Sequence, residues 1–399
     1  MSDNTLARKI SLPLLTFYGL GTILGAGIYV LIGEVTLRAG PYSSISFIVA
    51  AIIAAITAYS FARLSSLIPK SAGEAAYAYA AFKRPYLSAL VGIAVVIVGT
   101  VSAATMVKGF SGYFISLIQI PELVIILSII VFITIFSVWG ISQSLLVASC
   151  ITIVEVLGLL FVIYAVIDVN ELKNYKPPEV ESIFNNSPVI LYAAFISFYA
   201  YIGFEDIVNI AEETIDPRKV VPLAIILSLV LSTIIYVSLS IACTLFIPSS
   251  VFTSSNAPLV SIIVYKGYDP TIMALISMVA IINGALVQLI MASRVLYGMA
   301  KQNIFISAFK KVNKNTHTPI LATITVVIFI TFLSTSFDLV TLAELTSTLT
   351  LLIFIIVQAS LLFLPGQEYK KTKLDTVLPA IGIGLNIMLL FFGYFMTLI

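Results

Sequence analysis

Histidine occurs once in 399 residues, as His317 in a polar linker, which leaves almost no material for a zinc cluster or a His-dependent catalytic triad. Cysteine is nearly as scarce. Cys150 and Cys243 both lie inside long apolar runs, where a structural disulfide is not expected. Charge is the third shortage: 10% of the residues are Asp, Glu, Lys or Arg, against about 25% in an ordinary globular domain. Nineteen acids and 21 bases cannot cover a water-soluble protein of this size. A soluble enzyme, a nucleic-acid binder and a disordered chain are therefore excluded. What is abundant is apolar: 60% of the residues, with a mean hydropathy of +1.11. This is the composition of a polytopic membrane protein.

A helix needs about 20 mainly apolar residues to cross a bilayer. The apolar runs are 13–37, 42–67, 85–117, 122–140, 144–168, 188–213, 219–247, 271–299, 319–336, 340–364 and 376–398. They predict an all-α integral membrane fold of 11 transmembrane helices in one transporter domain, 1–399. Helices are preferred over a strand barrel because alternating-strand signals are absent and lipid demands internally paired backbone. The opening residues are too polar for a cleavable signal peptide, so the first run is expected to be a permanent helix. With the N-terminus in the cytoplasm, sixteen of the 21 Lys and Arg fall in cytoplasmic connections. Arg38, Lys173, Lys176 and Lys266 fall outside, and Lys108 lies within the third run. The bias predicts a multi-pass cell-membrane protein with a cytoplasmic N-terminus and an extracytoplasmic C-terminus. Pro258 to Lys266 is expected to form a short helix on the outer face.

Two runs carry interruptions in matching positions. The first contains Gly19, Gly21, Gly25 and Gly27; the sixth reads FYAYIGFED, with Gly203 followed at once by Glu205 and Asp206. Glycine costs about 1 kcal/mol relative to alanine in a helix interior, so such clusters invite unwinding. Close packing through small residues is the alternative, and it stays open for Gly19, Gly21 and Gly33. Runs one and six open two five-helix halves, about 13–168 and 188–364, with 376–398 as an extra helix. Broken segments at corresponding positions point to an inverted-repeat transporter with its site at the midplane. A break exposes N–H groups at one half-helix start and C=O groups at the preceding end. Donors on one side and acceptors on the other suit a zwitterionic amino acid.

Several stretches resemble the amino acid–polyamine–organocation superfamily, in particular its bacterial cationic-amino-acid-transporter-like branch. Gly25-Ala26-Gly27-Ile28-Tyr29-Val30 resembles the family's GxGIFV segment, and Ala39-Gly40-Pro41 its usual close. The segment from Pro69 to Tyr79 resembles P-x-x-G-G-x-Y-x-Y. Phe198 to Phe204 with Ala211-Glu212-Glu213-Thr214, Pro217 and Arg218 is similar to the family's helix six. Ser293 to Ala300 resembles SRxLYxMA, and Glu344 to Ser347 with Leu351-Leu352 the start of helix ten. The resemblance implies a LeuT-type fold of 5+5 inverted repeats with discontinuous helices 1 and 6, and secondary amino-acid transport. Carried over by residue, the substrate carboxylate meets N–H groups around Gly25, Ala26 and Gly27. The ammonium meets carbonyls near Ile23, Tyr199, Ala200 and Ile202, and Tyr201 and Phe204 gate the outer path. Many members have 12 spans, so whatever a twelfth contributes is expected to be missing here.

A charge at a helix centre costs roughly 2.5–3.5 kcal/mol on insertion scales, so each one is a functional candidate. Glu155 sits in mid-run in SCITIVEVLGLLF. Branch members often carry Lys at the matching position, linked to proton coupling. Two roles for Glu155 stay open: carrier of the coupled proton, or a protonated hydrogen-bonding strut. Lys108 either snorkels to the outer interface or reaches the substrate path. Glu205 and Asp206 either cap the inner half-helix or bind a cationic substrate group. Glu34 and Glu344 read as structural, and Glu212, Glu213, Asp216, Arg218 and Lys219 as a salt-bridged cytoplasmic hinge. Ser277 and Asn283 leave a sodium site open, though membrane hydroxyls commonly bond their own backbone. Proton is thus preferred over Na⁺ as the partner ion, with an amino acid, the lipid bilayer, no cofactor and no nucleic acid. A polyamine or amine carrier and a transport-inactive amino-acid sensor are the alternatives. An intramembrane enzyme lacks HExxH, and a channel lacks a repeated filter motif.

Overall fold

The computed structural model describes residues 10–68, 73–139, 145–167, 178–253, 255–301, 305–313, 316, 318–365 and 370–397. The expected roles of Pro69 to Ala72 and of His317 lie outside the described residues, as does the side chain of Ala26. Helices account for the architecture, and among the described residues the only β-pairing is an isolated parallel bridge between Ile10 and Thr214. In chain order the helices are α1 (Leu12–Ala39), α2 (Ser43–Leu67), α3 (Gly73–Phe82), α4 (Pro85–Leu117) and α5 (Glu122–Trp139). There follow α6 (Leu145–Val166), α7 (Val180–Asn185), α8 (Ser187–Phe198), α9 (Pro217–Phe246) and α10 (Pro258–Tyr265). The remainder are α11 (Thr271–Lys301), α12 (Ile320–Ser336), α13 (Leu339–Phe363) and α14 (Leu374–Thr397).

Among the described residues nine helical stretches are long and apolar enough to cross a membrane, with α1 and α2 running on as one stretch from Gly27. Two apolar stretches are shorter: Leu12–Gly25, cut off by the break in α1, and Ile320–Ser336. The expected count of 11 is not reached among the described residues: the second half of α1 continues into α2 as one stretch, and α12, with 17 residues, is shorter than any of the nine. The predicted short helix between Pro258 and Lys266 forms as α10, with most of its side chains buried against α1 and α6. Cys150 and Cys243 are free thiols.

Packing divides the helices into two groups. One joins α1, α2, α8 and α9; the other joins α4, α5, α11 and α12, and α6 touches both. The end at which α1 starts and α2 finishes is the basic end, after Lys83 and Arg84 between α3 and α4 and Arg63, Arg218 and Lys219 in the helix turns beside it. There the Ile10 N–H donates to Glu213 O (3.1 Å) and the Ile215 N–H to Ile10 O (3.0 Å). The entrance of α1 is thereby stitched to the chain that precedes α9.

The last helix is held by polar side chains rather than by apolar contact alone. Asp375 is fully buried; its Oδ1 accepts from Tyr59 (2.8 Å) and from Arg63 Nε (3.1 Å), both on α2. Deeper in the layer, Gln358 of α13 donates to Thr57 of α2 (2.8 Å) and accepts from Asn386 of α14 (3.2 Å). Paired in this way, buried polar groups specify one arrangement of α2, α13 and α14.

Candidate functional site

The two interruptions form as real breaks in the helices, and they touch. In α1 the backbone leaves helical geometry at Gly25 (φ 12°, ψ −134°) and resumes it at once. The second break is longer. After Phe198 the chain makes a 3-10 turn over Tyr199–Tyr201, becomes extended at Ile202, and turns at Gly203 (φ 125°). It continues as a 3-10 helix, Phe204–Glu213, where an α-helical inner half was expected; the Asp206 N–H to Gly203 O bond (3.2 Å) is of i→i+3 type. A Cβ on Gly27 would lie 2.4 Å from Ala200 Cα, and one on Gly203 would lie 2.4 Å from Thr22 O. Both glycines are therefore set by backbone-to-backbone approach. Thr22 fixes the junction, its hydroxyl donating to Gly19 O (2.9 Å) and Gly203 O (3.0 Å). Gly19 and Gly21 pack closely on Ile207 and Thr152, which resolves the alternative left open for them in favour of packing.

One side chain bridges the two breaks. The Tyr236 hydroxyl of α9 lies 2.9 Å from Ile23 O and 2.9 Å from Ala200 O and donates to that pair. These are two of the four carbonyl positions expected to meet an ammonium group. A third, Tyr199 O, accepts from the Ile202 N–H (3.2 Å) inside the 3-10 turn, and Ile202 supplies the extended residue that ends it. The Tyr199 hydroxyl faces Ser102 of α4 at 3.4 Å. Replacing Tyr236 with Phe leaves both buried carbonyls short of their donor. It is expected to cost about 1–3 kcal/mol, read as a lower thermal midpoint of the purified protein. An unchanged midpoint would show that the bridge contributes nothing to stability.

Glu155 lies beside this junction. It is buried (1% exposed), and among the described residues neither carboxyl oxygen has a hydrogen-bond partner. Its backbone carbonyl accepts from the Tyr29 hydroxyl (2.8 Å), and Tyr29 O accepts from the Tyr113 hydroxyl. The carboxyl interacts electrostatically with the hydroxyls of Tyr29 and Tyr236. Tyr113 and Tyr236 were missed by the sequence reading. Their one signal was a polar tip on an aromatic ring within an apolar run, a tip that must find a partner once buried.

The other predicted residues separate into distinct places. Lys108 does not enter the junction: its Nζ donates to Glu122 of α5 (2.9 Å), which also accepts from Ser111 (2.9 Å). Glu205 accepts from the Gly203 N–H (2.8 Å) and so caps the 3-10 helix, while Asp206 meets Gln288 of α11 at 3.4 Å. Tyr201 is buried, donates to Phe47 O (3.1 Å) and leans on Tyr236, ring centres 5.2 Å apart. Phe204 packs on Phe61 (5.6 Å) and Phe354 (5.3 Å), and Tyr77 of α3 packs on the same Phe61. That puts Phe204 between the break and the basic end, whereas the sequence reading aimed it at the opposite path.

At the other end, Arg38 pairs with Glu34 and lies over the Tyr192 ring (5.1 Å), and Tyr192 donates to Glu344 (2.7 Å). These contacts tie α1, α8 and α13 together. Of the expected salt-bridged hinge, the Glu212 side chain lies outside the described residues; among the described residues Lys219 pairs with Asp216 at 3.5 Å, and the exposure of that pair makes its contribution small. Ser277 donates to Met273 O (2.8 Å), the local backbone bond that competes with ion binding. Among the described residues no group of three His, Cys, Asp or Glu side chains is placed to hold a metal ion.

The family model described as amino acid permease matches residues 10–399. The chain belongs to the amino acid permease family. It is thereby a member of the amino acid–polyamine–organocation superfamily, as its motifs implied, and it is classed with transporters rather than enzymes. Among this family member's relatives, the mitochondrial cationic amino acid transporter 3 of Arabidopsis thaliana is 29% identical over 395 residues, covering 90% of this chain. This chain spans 62% of that transporter's length. The branched-chain amino acid permease BcaP of Bacillus subtilis (strain 168) is 28% identical over 397 residues, 92% of this chain and 83% of its own. The methylthioribose transporter of the same bacterium is 27% identical over 408 residues, with 96% and 86% covered. The three names differ in what is carried.

Proposed function

We propose that this family member carries amino acids across the cell membrane by alternating access, coupled to protons by symport or exchange. The observation that carries the reading is the pair of carbonyls, Ile23 O and Ala200 O, brought from two separate breaks onto one hydroxyl. An ammonium group offers the same kind of donor at that point. The N–H groups of Gly25, Ala26 and Gly27 open the second half of α1 and receive the substrate carboxylate. The fold for this reading is the LeuT-type inverted repeat. Helices α1, α2, α4, α5 and α6 make one half; α8 with its 3-10 continuation, α9, α11, α12 and α13 make the other, and α14 follows. The basic end faces the cytoplasm, a reading the Lys and Arg bias supports.

In this cycle Phe204, Phe61 and Phe354 close the path towards the basic end, and Arg38, Tyr192 and Glu344 close the other. Glu155 holds the coupled proton while buried and exchanges it when water reaches the junction. Sodium is the poorer partner, because the Ser277 hydroxyl is committed to its own helix. The test is uptake into proteoliposomes of a panel of labelled amino acids, with and without a pH gradient. Saturable uptake of at least one amino acid, strengthened by the gradient, is expected. Neither uptake nor exchange of any of them would overturn the reading.

A further inference from the structure

Three carboxyl groups lie on the basic-end side of the second break, none of them used above for transport. Glu74 comes from α3, and Glu205 and Asp206 from the first turn of the 3-10 helix; all are buried, at 7%, 9% and 3% exposure. Glu74 is within electrostatic reach of both others, and Glu205 of Asp206. Two further buried groups are left incomplete beside them. Gln288 brings its amide to Asp206 with Nε2 at 3.4 Å, and its Oε1 has no partner among the described residues. Tyr77, fully buried one turn after Glu74 and within its field, has a hydroxyl with no partner among the described residues. Acceptors and an unpaired hydroxyl around three acids call for something positively charged.

The geometry points to a second proton-binding centre formed by Glu74, Glu205 and Asp206, separate from Glu155, that exchanges protons with water at the basic end. A shared metal ion is a poorer fit, since these carboxyls do not come together as a group able to hold one. They are near enough to feel one another's charge and too dispersed to chelate. Three like charges in a buried space cannot all persist, so at least one proton stays with the group. The counter-charge is slight: Tyr18 of α1 interacts with Asp206 and with Arg294 of α11, and Arg294 is exposed. Lys83 and Arg84, between α3 and α4, are exposed as well. The one Asp, Glu, Lys or Arg of α13, Glu344, bonds Tyr192 at the opposite end. Glu155 interacts instead with Tyr29 and Tyr236.

Burial pushes the Glu74 carboxyl from the ordinary 4.5 up to about 7. The sign follows from linkage: a raised value favours the closed, buried arrangement at low pH, and that preference is lost as pH rises through about 7. Wetting the cluster returns Glu74 towards its ordinary value and releases the proton to the basic-end water. The centre stands whether or not Glu155 carries the coupled proton, so its test uses no substrate.

The experiment is infrared difference spectroscopy of the purified protein in lipid, following the protonated-carboxyl band from about pH 5 to about pH 9. The wild-type protein is expected to show a carboxyl titrating near pH 7, absent in Glu74→Gln and retained in Glu155→Gln. Asp206→Asn, which removes a neighbouring negative charge, is expected to move that titration to lower pH and decides the matter if Glu74→Gln does not fold. A wild-type protein with no carboxyl titrating near neutrality, or a Glu74→Gln protein titrating as the wild type does, overturns the proposal.

Discussion

Replacing Gly203 with alanine is expected to abolish uptake and to cost about 3–5 kcal/mol of stability, the sum of a strained residue and an overpacked contact. At φ 125° an L-residue is already strained. Its Cβ would then stand 2.4 Å from Thr22 O, 2.7 Å from Thr22 C and 3.1 Å from Ile23 N. These are backbone atoms of α1 beside its break, so no side chain can swing away to make room. Relief requires the two breaks to part, which separates Ile23 O from Ala200 O and dissolves the Tyr236 bridge. Gly384→Ala is the control, because no atom lies within 4 Å of the added carbon and α14 is helical there. Thermal midpoints and uptake of both variants, measured side by side, check the expectation. Normal uptake by Gly203→Ala would mean that the contact between the breaks is not needed for transport.

Glu155→Gln is expected to uncouple rather than to unfold. One pH unit across the membrane stores about 1.4 kcal/mol, enough for about tenfold accumulation with one proton per substrate. The wild-type protein should approach that ratio, and Glu155→Gln should fall to none while exchange of internal for external substrate continues. Glu155→Leu sharpens the contrast. It removes two buried oxygen atoms that have no partner among the described residues and is expected to gain about 1–3 kcal/mol of stability while losing accumulation. Accumulation by Glu155→Gln with an unchanged pH dependence would assign Glu155 a structural role. The stability gain matters to the reading, because a purely structural carboxyl should not be easier to replace by leucine than to keep.

Much of this architecture was readable from residue order alone, and the reasons differ between its parts. Long apolar runs are forced by the bilayer, so the helices could be placed within a few residues; α9 begins at Pro217 and α11 ends at Lys301, close to the expected bounds. The breaks were readable because Gly25, Gly27 and Gly203 are conspicuous within apolar runs. The site's side chains were less so. Tyr236 lies 36 residues from Ala200 and 213 from Ile23, and nothing local in its own run aims its hydroxyl at either. Lys108 illustrates the opposite failure. Its charge drew it into the candidate list, but its partner Glu122 lies on the next helix and is reached only across the α4–α5 packing. Phe204 was assigned to the opposite path because a sequence gives adjacency to a break without giving direction. The side it serves emerges only from Phe61, Tyr77 and Phe354, which come from three other helices.

The bridge at Tyr236 also has an arithmetic of its own. A phenol owns a single O–H proton, and here two carbonyl oxygens converge on it. At any instant one of them is served poorly. A primary ammonium brings three donors to the same spot and can satisfy both oxygens with one to spare. On the transport reading, the unliganded junction thus keeps an unmet demand for hydrogen-bond donors, held in check by a group just able to keep the breaks together. Affinity for an amine then arises from replacing a shared bond by complete ones, with no new contact surface required. On the same reading, a ligand bringing no more donors than a hydroxyl gains nothing by displacing the tyrosine.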